Sequence, residues 1–554
     1  MKSRLENLEL AKSKAFDLVV VGAGIIGAGI AQNAASRGLS VLLVDKDDFS
    51  SGASCKTSQL LHGGVPQEQL QFKVNKQFNE EQERLKRLAP HLIKEIPFVL
   101  PLLSNNTLFN LKATAGLTLN EVMSLSSGQG NTHAYLTKKK MSNLVPAFSG
   151  RNARGAIQFH EAVGDDTRLV MSVIKAAHQK GAVVLNYVQA TSWNIDAGKI
   201  VGVNFRDRYS GKEFSVPCKS CVNATGVWSE QLTAPLNEGK TRAKILACKN
   251  TQLVVSASSF ETNNAILLPA SEGRFVYVLP WHHALLIGAT ESVYNGDLNH
   301  ARCSKDEIDY LLNTVNGYTE THKLNASDVK ASFTGLRARL SFDSEPASSA
   351  SAGAKQKEEW IVAESVDGLF SVVSEKFDNY RIFAGEVLDL LVSRVSGLSK
   401  LPAKTGQEML GGWAGKEDFL TRSAAIELKA RRLQIEPATI QHLIANYGAE
   451  AEPIVDLVEK QDSLKDRIVS DFPPILAEIA YTVVAEMAVS VQDFLLRRTR
   501  LGMLNNKQAL KAAPQVADMM GTLLGWDAYR CKVEIQALES VMFEQQEEAG
   551  AVSL

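Results

Sequence analysis

The start of the chain alternates short apolar runs with small residues, a pattern that predicts two strands joined by a helix. Residues 16–21 read Phe-Asp-Leu-Val-Val-Val, which has the length and character of a buried strand. Glycines follow at 22, 24 and 27, and the alanine-rich, proline-free stretch Ala28–Ser36 predicts a helix that ends at Gly38. Residues 41–44 (Val-Leu-Leu-Val) predict a second buried strand ending at Asp45. The chain therefore opens with a βαβ unit of about 30 residues.

Further along, the periodicity separates a strand-rich part from a helical part. Residues 66–95 are charged and predict helix, whereas residues 181–260 and 274–290 contain many strand-like runs. The low-complexity stretch 343–359 predicts a surface loop, because strand-like sequence resumes at Trp360. Beyond about residue 405 long helical patterns dominate, including 475–496 and 514–524, the second with Pro514 at its first helical position. We therefore expect a separate helical domain over residues 406–554.

The apolar runs are too short to predict a membrane span. A transmembrane helix needs about 20 consecutive apolar residues, and no such run free of glycine and charge is present. The run Ile96–Leu103 is interpreted as part of the hydrophobic core, and the alternative interpretation is a loop that contacts the membrane. No secretory signal is visible in the polar first 15 residues.

Composition and charge narrow the class of protein. The 554 residues are 45% hydrophobic and 22% charged, which is ordinary globular usage. The 60 basic and 61 acidic side chains leave a net charge of −1, which argues against broad nucleic-acid binding. The six cysteines are sparse, as expected in a reducing, cytoplasmic compartment. Cys218 and Cys221 form a CxxC without a second pair at zinc spacing, so we interpret them as structural thiols and predict no metal site.

The glycines of the βαβ unit match the GxGxxG pattern of a dinucleotide site, Gly22-Ala23-Gly24-Ile25-Ile26-Gly27. Gly22 permits the tight turn, Gly24 lets a diphosphate approach the backbone, and Gly27 allows the helix to pack closely on the sheet. The free N–H groups and dipole of the helix N-terminus favour the diphosphate. Asp45, 18 residues after Gly27, is placed to accept hydrogen bonds from ribose hydroxyls.

Three features favour FAD over NAD as the dinucleotide. The motif lies at the extreme N-terminus of a long chain. The polar, small-residue loop Asp45–Ser54, which includes Lys46 and Gly52, follows the second strand at once and suits an extended cofactor. A third segment, Ala224-Thr225-Gly226, ends a strand in a small-residue turn that can approach the ribose or adenine. A nicotinamide enzyme remains the alternative.

From about Phe16 to Glu539 the chain resembles the FAD-dependent, quinone-linked glycerol-3-phosphate dehydrogenases. The resemblance is carried by an ordered set of motifs: Gly22–Gly29, Val41–Ser54, Leu61-His-Gly-Gly64, Asp165–Leu169, Gly181–Tyr187, Asn223–Gly226, Ile287–Thr290, Gly335-Leu-Arg337, Gly368–Val373, Tyr380-Arg381, Asp493–Arg500 and Gly525-Trp-Asp527. The whole set in this order is far more specific than any one motif.

The resemblance implies an α/β fold with three parts: a doubly wound, Rossmann-like FAD-binding domain, a mixed-sheet substrate domain and an all-helical C-terminal domain. Residues 1–405 would form the oxidoreductase region, with FAD-binding segments at about 16–75, 150–235 and 360–400 and substrate segments at about 76–149 and 236–359. It also implies oxidation of sn-glycerol 3-phosphate to dihydroxyacetone phosphate, with hydride transfer to flavin N5 and electrons passing to a quinone. The implied partners are a small phosphorylated polyol and the surface of the cytoplasmic membrane, without nucleic acid.

Five residues are candidates for the chemistry. Arg337 and Arg381 match the family's substrate-side arginines, and a guanidinium binds a phosphate bidentately. Lys376, before a helical run from Tyr380, is a candidate cation for the negative charge of a reduced flavin. His62 is a candidate base or a neighbour of the flavin ring. Lys56 stands where the family has arginine. Each of the charged residues has an ordinary surface ion pair as its alternative.

Several positions around the substrate depart from the family pattern. Gln59 replaces a lysine, Val65–Gln69 lacks the family's Arg and Tyr, and Gln252 stands where the family has a histidine. The amide of Gln252 cannot act as a general base. Glu375 adds a negative charge to the segment that is predicted to lie near the flavin. The alternatives left open are therefore an FAD-dependent oxidoreductase for another small hydroxy or amino acid, or a low-activity FAD-binding paralogue.

Overall fold

The computed structural model describes residues 1–61, 76–103, 110, 133–148, 153–233, 243–260, 262–271, 274–319, 323–342, 360–374, 376–398 and 401–547. The strands in these ranges are β1 (Phe16–Val21), β2 (Val41–Val44), β3 (Leu60–Leu61), β4 (Ile93–Leu103), β5 (Ala134–Thr137), β6 (Ala153–Gly164), β7 (Val183–Leu185), β8 (Val188–Asp196), β9 (Lys199–Asp207), β10 (Glu213–Asn223), β11 (Ala243–Ser256), β12 (Ala265–Pro269), β13 (Phe275–Trp281), β14 (Ala284–Gly288), β15 (Ser292–Val293), β16 (Val329–Phe342), β17 (Trp360–Val366) and β18 (Leu369–Ser374).

The helices in the same ranges are α1 (Arg4–Ser13), α2 (Ile25–Ser36), α3 (Lys76–Leu88), α4 (Lys138–Leu144), α5 (Asp166–Gln179), α6 (Ser229–Thr233), α7 (Lys305–Tyr318), α8 (Tyr380–Arg394), α9 (Lys416–Arg432), α10 (Pro437–Tyr447), α11 (Ala451–Lys460), α12 (Leu476–Glu486), α13 (Leu501–Leu504), α14 (Asn506–Leu524) and α15 (Ala528–Glu547). The predicted opening βαβ unit is confirmed as β1–α2–β2.

The first sheet has the strand order β17-β18-β10-β1-β2-β7 and is parallel from β18 to β7. Its central strands are apolar because both faces are covered, as in doubly wound folds. Helices α2, α5 and α8 bury one face, while α1 and the β8–β9 ribbon cover the other. The edge strand β17 pairs antiparallel with β18.

The second sheet is mixed and runs β15-β11-β14-β13-β12-β4-β6-β3, with β16 paired along β11. One face packs against α4 and α7, and the other faces the C-terminal helices. Strand β6 belongs here, although the sequence reasoning assigned residues from about 150 to the FAD-binding part. The reason is its long antiparallel pairing with β4, from Ile93 opposite Gly164 to Leu103 opposite Ala153.

The C-terminal domain is helical, as predicted, but two of its helices differ from the sequence pattern. Pro514 lies inside α14 because the side chain of Asn505 accepts a hydrogen bond from the Gln508 N–H and starts the helix earlier. The predicted helix over 475–496 ends at Glu486, and Met487 adopts a left-handed conformation with φ of 52°. A separate π-helical turn follows at Asp493–Arg498. Turns of this type are frequent at functional sites.

Candidate active site

The carboxyl ends of β1, β2 and β10 meet at one edge of the first sheet. Val21 pairs with Val44 on one side and with Asn223 on the other. This edge is the point at which the strand order reverses, and open α/β sheets bind ligands at such switch points. The three predicted cofactor segments, Gly22–Gly27, Asp45–Ser54 and Ala224–Gly226, therefore leave the sheet side by side.

The glycines at this edge form a cradle that larger side chains would fill. Gly22 has φ of +103°, and a Cβ on it would lie 2.5 Å from the carbonyl oxygen of Ala224. A Cβ on Gly27 would lie 1.8 Å from the carbonyl oxygen of Gly22, so the turn and the helix can meet only with glycine at this position. A Cβ on Gly24 would lie 2.9 Å from Ser54 Oγ. The close approach of backbone to backbone is what a diphosphate site requires.

Helix α2 opens directly onto this cradle. Its N-cap is Gly24, which supplies no side-chain cap, and the Ile25 N–H donates to Ser54 Oγ at 3.0 Å. The helix dipole and the N–H groups of its first turn favour an anion here. Ser54 thus connects the predicted loop to the predicted anion site.

Asp45 lies at the end of β2, where a ribose-binding carboxylate is expected. Its carboxylate accepts hydrogen bonds from the Ala23 N–H at 2.7 Å and from the Asp47 N–H at 3.0 Å. Burial raises the pKa of Asp45 to about 7, against the opposing effect of these two N–H groups. A ligand hydroxyl donating to Asp45 would add a further stabilising contact for the carboxylate.

Lys46 contacts the ring of Trp228, which follows the cofactor segment Ala224–Gly226. Its Nζ lies 4.4 Å from the ring centroid of Trp228 and donates to Asn299 Oδ1 at 3.0 Å. Trp228 Nε1 donates to the same oxygen at 3.2 Å, and a Cβ on Gly52 would lie 3.5 Å from the Trp228 ring. Sequence reasoning did not single out Trp228 or Asn299 as functional. The strand-to-turn pattern before Trp228 is a sequence signal that could have pointed to this residue. Asn299 has no such signal, because it lies in a loop far away along the chain.

The C-terminal domain contacts residues 45–56, which we call the cofactor loop, near both of its ends. At the first end, Asp48 is fully buried and accepts hydrogen bonds from Arg497 Nε at 2.6 Å and from both terminal nitrogens of Arg498 at 2.7 and 3.0 Å. Burial alone would raise the pKa of Asp48, but these two guanidinium groups hold it at about 2. The π-helical turn brings the two consecutive arginines to one carboxylate.

At the second end of the loop, Arg500 donates to the Cys55 carbonyl oxygen at 2.8 Å and pairs with Asp166. Asp166 in turn accepts a hydrogen bond from the Thr57 N–H at 2.9 Å. Asp165 lies on the other side of Arg500, and although burial opposes it, Arg500 and His282 hold the pKa of Asp165 below its usual range. The motifs Asp165–Leu169 and Asp493–Arg500 therefore position the loop that carries Ser54 and Lys56.

Lys56 and Arg337 lie on the same face of the second sheet. A Cβ on Gly335 of β16 would lie 3.1 Å from Lys56 Cβ, so the lysine lies directly over that strand position. Arg337 follows two residues later, and residues i and i+2 of a strand project from one face. Its guanidinium pairs with Glu291 at 2.5 Å, and both side chains are about one-quarter exposed, at 26% and 23%. Arg337 and Lys56 of the cofactor loop therefore lie on the same side of β16.

Arg381 has a different environment. It lies in the first turn of α8 and forks onto Glu81 of α3, with Nε to Oε1 at 2.5 Å and a second contact from Nη2 to Oε2. Glu81 is only 1% exposed, whereas Arg381 is 15% exposed, and Arg84 also pairs with Glu81 at 3.2 Å. Arg381 also lines a polar cavity of about 650 Å³ with residues of α2, α3 and α8, and Arg337 is not among its lining residues. The structure therefore pairs the two arginines with different carboxylates on different elements.

Lys376 lies between β18 and α8, half-buried, with its N–H donating to Ser374 Oγ at 3.2 Å. Asn379 precedes α8 without a side-chain cap, and Tyr380 packs so closely on α2 that a Cβ on Gly29 would lie 2.6 Å from its ring. An uncapped helix N-terminus thus accompanies the lysine. His62, Val65–Gln69 and Glu375 lie outside the described residues.

Comparison with known proteins identifies the family. A family of FAD-dependent oxidoreductases matches residues 17–368, and the C-terminal domain of alpha-glycerophosphate oxidase matches residues 404–531. A glycerol-3-phosphate dehydrogenase of Mycobacterium leprae is 30% identical over 536 residues, which cover 94% of this chain and 89% of that protein. The chain belongs to the FAD-dependent glycerol-3-phosphate dehydrogenase family.

Solved structures share the fold of this chain. The glycerol-3-phosphate dehydrogenase from Bacillus halodurans, complexed with FAD, has a TM-score of 0.80 and 25% identity, covering 100% of this chain and 99% of that one. The L-alpha-glycerophosphate oxidase of Mycoplasma pneumoniae, with FAD bound, has a TM-score of 0.53 at 17% identity over 68% of this chain, and shares the fold. The predicted fold class, enzyme class and FAD cofactor are confirmed, and the glycine cradle with Asp45 fits that cofactor. The individual site residues stay predictions.

Other groups singled out in the sequence show no sign of a second chemical site. Cys218 and Cys221 are buried in β10, and burial raises the pKa of Cys218 to about 12, so this thiol stays protonated. The described residues contain no group of three or more His, Cys, Asp or Glu side chains placed to bind a metal. None of the helices in the described ranges combines the length and apolar character needed to cross a bilayer.

Proposed function

We propose that this member of the family oxidises sn-glycerol 3-phosphate to dihydroxyacetone phosphate and passes the electrons to a quinone. FAD held at the glycine cradle and Asp45 would supply the acceptor for the C2 hydride and the source of the electrons that pass to the quinone. The C2 hydroxyl proton leaves to a base, for which His62 is the candidate. The residues of this chain then have three tasks: to bind the phosphate, to orient C2 and to stabilise the reduced cofactor.

The observation that carries this proposal is the pair of cations on one face of the second sheet. Lys56 lies two residues after Ser54, which accepts a hydrogen bond from the N-terminus of α2, and it lies over Gly335, two residues from Arg337. A phosphate dianion placed between these two groups would lie beside the cofactor and would receive charge-assisted hydrogen bonds. Glu291, which pairs with Arg337, would orient the guanidinium.

Lys376 and the N-terminus of α8 are proposed to stabilise the reduced cofactor. Two-electron reduction builds negative charge on the ring near N1 and O2, and both a cation and an uncapped helix N-terminus oppose that charge. Arg381 is proposed to hold α8 on α3 through Glu81, and its contribution to the site would then be one of positioning. A quinone acceptor implies work at the membrane surface, and we propose peripheral association there.

The proposed function is tested by dye- or quinone-coupled turnover with a panel of substrates. Glycerol 3-phosphate is expected to support quinone reduction, and glycerol, which lacks the phosphate, is not. Equal rates with phosphorylated and unphosphorylated alcohols would contradict the phosphate-binding role of Lys56 and Arg337. Reduction of oxygen but of no quinone analogue would contradict the proposed acceptor.

A second candidate is oxidation of another small hydroxy or amino acid. It is favoured by one observation, the amide of Gln252 on the sheet face where the family has a histidine. Arg337 would then bind a carboxylate in place of a phosphate. The same panel separates the two: turnover of a hydroxy or amino acid in the absence of turnover of glycerol 3-phosphate would support this second function.

A further inference from the structure

Two deeply buried polar side chains on the second sheet have an atom without a hydrogen-bond partner among the described residues. They are Gln252 on β11, which is 1% exposed, and Tyr277 on β13, which is 3% exposed. The unpartnered atoms are Gln252 Oε1 and the Tyr277 hydroxyl. Buried polar groups are nearly always paired, and phenylalanine would have filled the Tyr277 position without an unpaired hydroxyl.

The two side chains project from the same face and meet over a glycine. Gly288 of β14 pairs with Gln252 on one side and with Tyr277 on the other, and residues directly opposite each other in antiparallel strands share a face. A Cβ on Gly288 would lie 2.7 Å from the Tyr277 hydroxyl and 2.9 Å from Gln252 Cγ. The absence of a side chain at Gly288 is what leaves room for both polar groups.

This pair adjoins the cation pair described above. Gln252 Nε2 donates to the carbonyl oxygen of Lys56 at 3.1 Å, so the amide is oriented by the cofactor loop and turns its oxygen away from that contact. Gln252 also pairs with Phe333, which precedes Gly335 and Arg337 on the same face of β16. Gln252, Tyr277 and Arg337 thus share one face of the sheet, and Lys56 lies over that face.

We propose that Gln252 and Tyr277 recognise the C1 hydroxyl of the substrate's glycerol end, while Lys56 and Arg337 hold its phosphate. This inference rests on the proposed function and adds to it the residues that select a polyol. The two atoms are complementary to a hydroxyl, because the amide oxygen accepts and the phenol can donate or accept. Neither group carries the charge that a phosphate requires.

The same atoms are unsuited to removing the C2 proton. A glutamine amide does not titrate, and burial raises the pKa of Tyr277 further above its ordinary value, so the phenol stays protonated. Their contribution is therefore to bind and orient the non-reacting hydroxyl. Such a site rejects an analogue that lacks the hydroxyl, because the buried groups are then left unpaired.

The test compares glycerol 3-phosphate with propane-1,2-diol 1-phosphate, the analogue that lacks the C1 hydroxyl. In the holoenzyme, Tyr277→Phe is expected to lower kcat/KM for glycerol 3-phosphate by about tenfold, mainly through KM, and to leave kcat/KM for the analogue nearly unchanged. Gln252→Met is expected to act in the same direction. The discrimination between the two substrates should therefore fall by about tenfold.

The control is Tyr318→Phe, which removes a hydroxyl whose hydrogen bond is already made. Tyr318 donates to the Pro269 carbonyl oxygen at 2.6 Å and belongs to the opposite, α7-covered face of the sheet. It is expected to lower Tm slightly without changing discrimination, whereas Tyr277→Phe is expected to leave Tm unchanged or raised, since no hydrogen bond is lost.

Three results with the Tyr277→Phe variant would each overturn the inference, in addition to unaltered discrimination. The first is an equal loss of kcat/KM for both substrates in Tyr277→Phe. The second is a changed flavin spectrum or FAD affinity with unchanged discrimination, which would assign the pair to the cofactor. The third is a fall in Tm as large as that of the control. Wild-type turnover of glycerol 3-phosphate with unaltered discrimination in the variant would leave the proposed function intact, whereas no wild-type turnover at all would overturn both.

Discussion

At the scale of single residues, the partner of a charged group decides what that group can do. Arg337 and Arg381 look alike in the sequence, yet one is paired with a partly exposed Glu291 and the other with a buried Glu81. A guanidinium in a partly exposed pair can add a contact to a ligand at low cost, whereas one that neutralises a buried carboxylate is held to it. We therefore expect removal of Arg337 to lower activity and removal of Arg381 to lower stability.

We predict that Arg337→Ala lowers kcat/KM for glycerol 3-phosphate about 10- to 100-fold and leaves Tm almost unchanged, because a charge-assisted contact to the phosphate is lost. Arg337→Lys should recover part of the loss, since the charge is kept and the bidentate geometry of the guanidinium is not.

Arg381→Ala should instead lower the free energy of unfolding by about 1–3 kcal/mol. Urea unfolding and steady-state kinetics on both variants check this, and a reversed pattern would contradict the assignment.

The glycine cradle gives a second prediction at this scale. Gly22 and Gly38 both have positive φ, of 103° and 82°, but a Cβ on Gly22 would meet backbone whereas one on Gly38 would have nothing within 4 Å. Gly38→Ala should therefore cost only the conformational strain of about 1–2 kcal/mol and keep the bound flavin. Gly22→Ala should lose FAD as well. Flavin content and FAD titration of the two purified variants measure the difference, and full FAD binding by Gly22→Ala would refute the cradle.

Local chemistry made the residues of the cradle predictable, because each glycine of Gly22–Gly27 and the carboxylate of Asp45 follow from a short, regular spacing. The partners of the arginines could not be predicted in this way. Glu81 lies 300 residues from Arg381 along the chain, and Glu291 lies 46 residues from Arg337. Only the folded sheets and helices bring such pairs together.

At the scale of secondary-structure elements, the π-helical turn Asp493–Arg498 is the element that the helical periodicity of the sequence does not predict. An uninterrupted helix over 475–496 satisfies the apolar periodicity. The observed chain breaks at Met487, and the carboxylate of Asp493 accepts hydrogen bonds from the N–H groups of Val489 and Ser490 at 2.9 and 3.0 Å. Tertiary contacts with Asp48 stabilise this break, and a local pattern does not contain them.

This turn predicts that Asp48 is critical for the cofactor loop. Asp48→Ala would leave Arg497 and Arg498 without their shared buried carboxylate, and the loss of one partner of a buried ion pair costs about 3–5 kcal/mol. We expect a lower urea midpoint and weaker FAD binding. The matched control is Arg431→Ala, which removes an exposed pair with Glu427 on α9 and should cost less than about 0.5 kcal/mol. Equal effects of the two substitutions would contradict the role of Asp48.

At the scale of the whole molecule, buried carboxylates join the C-terminal helices to the FAD-binding part. Glu486 pairs with Arg168 and Lys175 of α5, Asp48 pairs with Arg497 and Arg498, and Asp165 with Arg500. The two parts were separable in the sequence by the change of pattern near residue 405. The contacts at the junction between the two parts could not be predicted in this way, because they are ion pairs between charged residues that no local sequence pattern distinguishes.

The junction predicts a steep acid limit to stability. Despite the opposing effect of burial, the guanidinium groups hold the pKa of Asp48 at about 2, and Arg168 and Lys175 hold the pKa of Glu486 below its usual range. An unfolded carboxyl titrates near pH 4, so this stabilisation is fully present above about pH 4 and is lost as the pH falls toward 2. Urea midpoints measured from about pH 6 down to about pH 2.5 should drop mainly below pH 4. A flat profile across that interval would contradict the ion-paired junction.

The most direct test of the central claim is an anaerobic titration of the FAD-loaded protein with sn-glycerol 3-phosphate, followed through the visible absorbance of the flavin. We predict that the oxidised bands bleach fully and that the Arg337→Ala variant needs far higher substrate concentrations to reach the same end point. An oxidised spectrum that stays unchanged at saturating glycerol 3-phosphate would contradict the account.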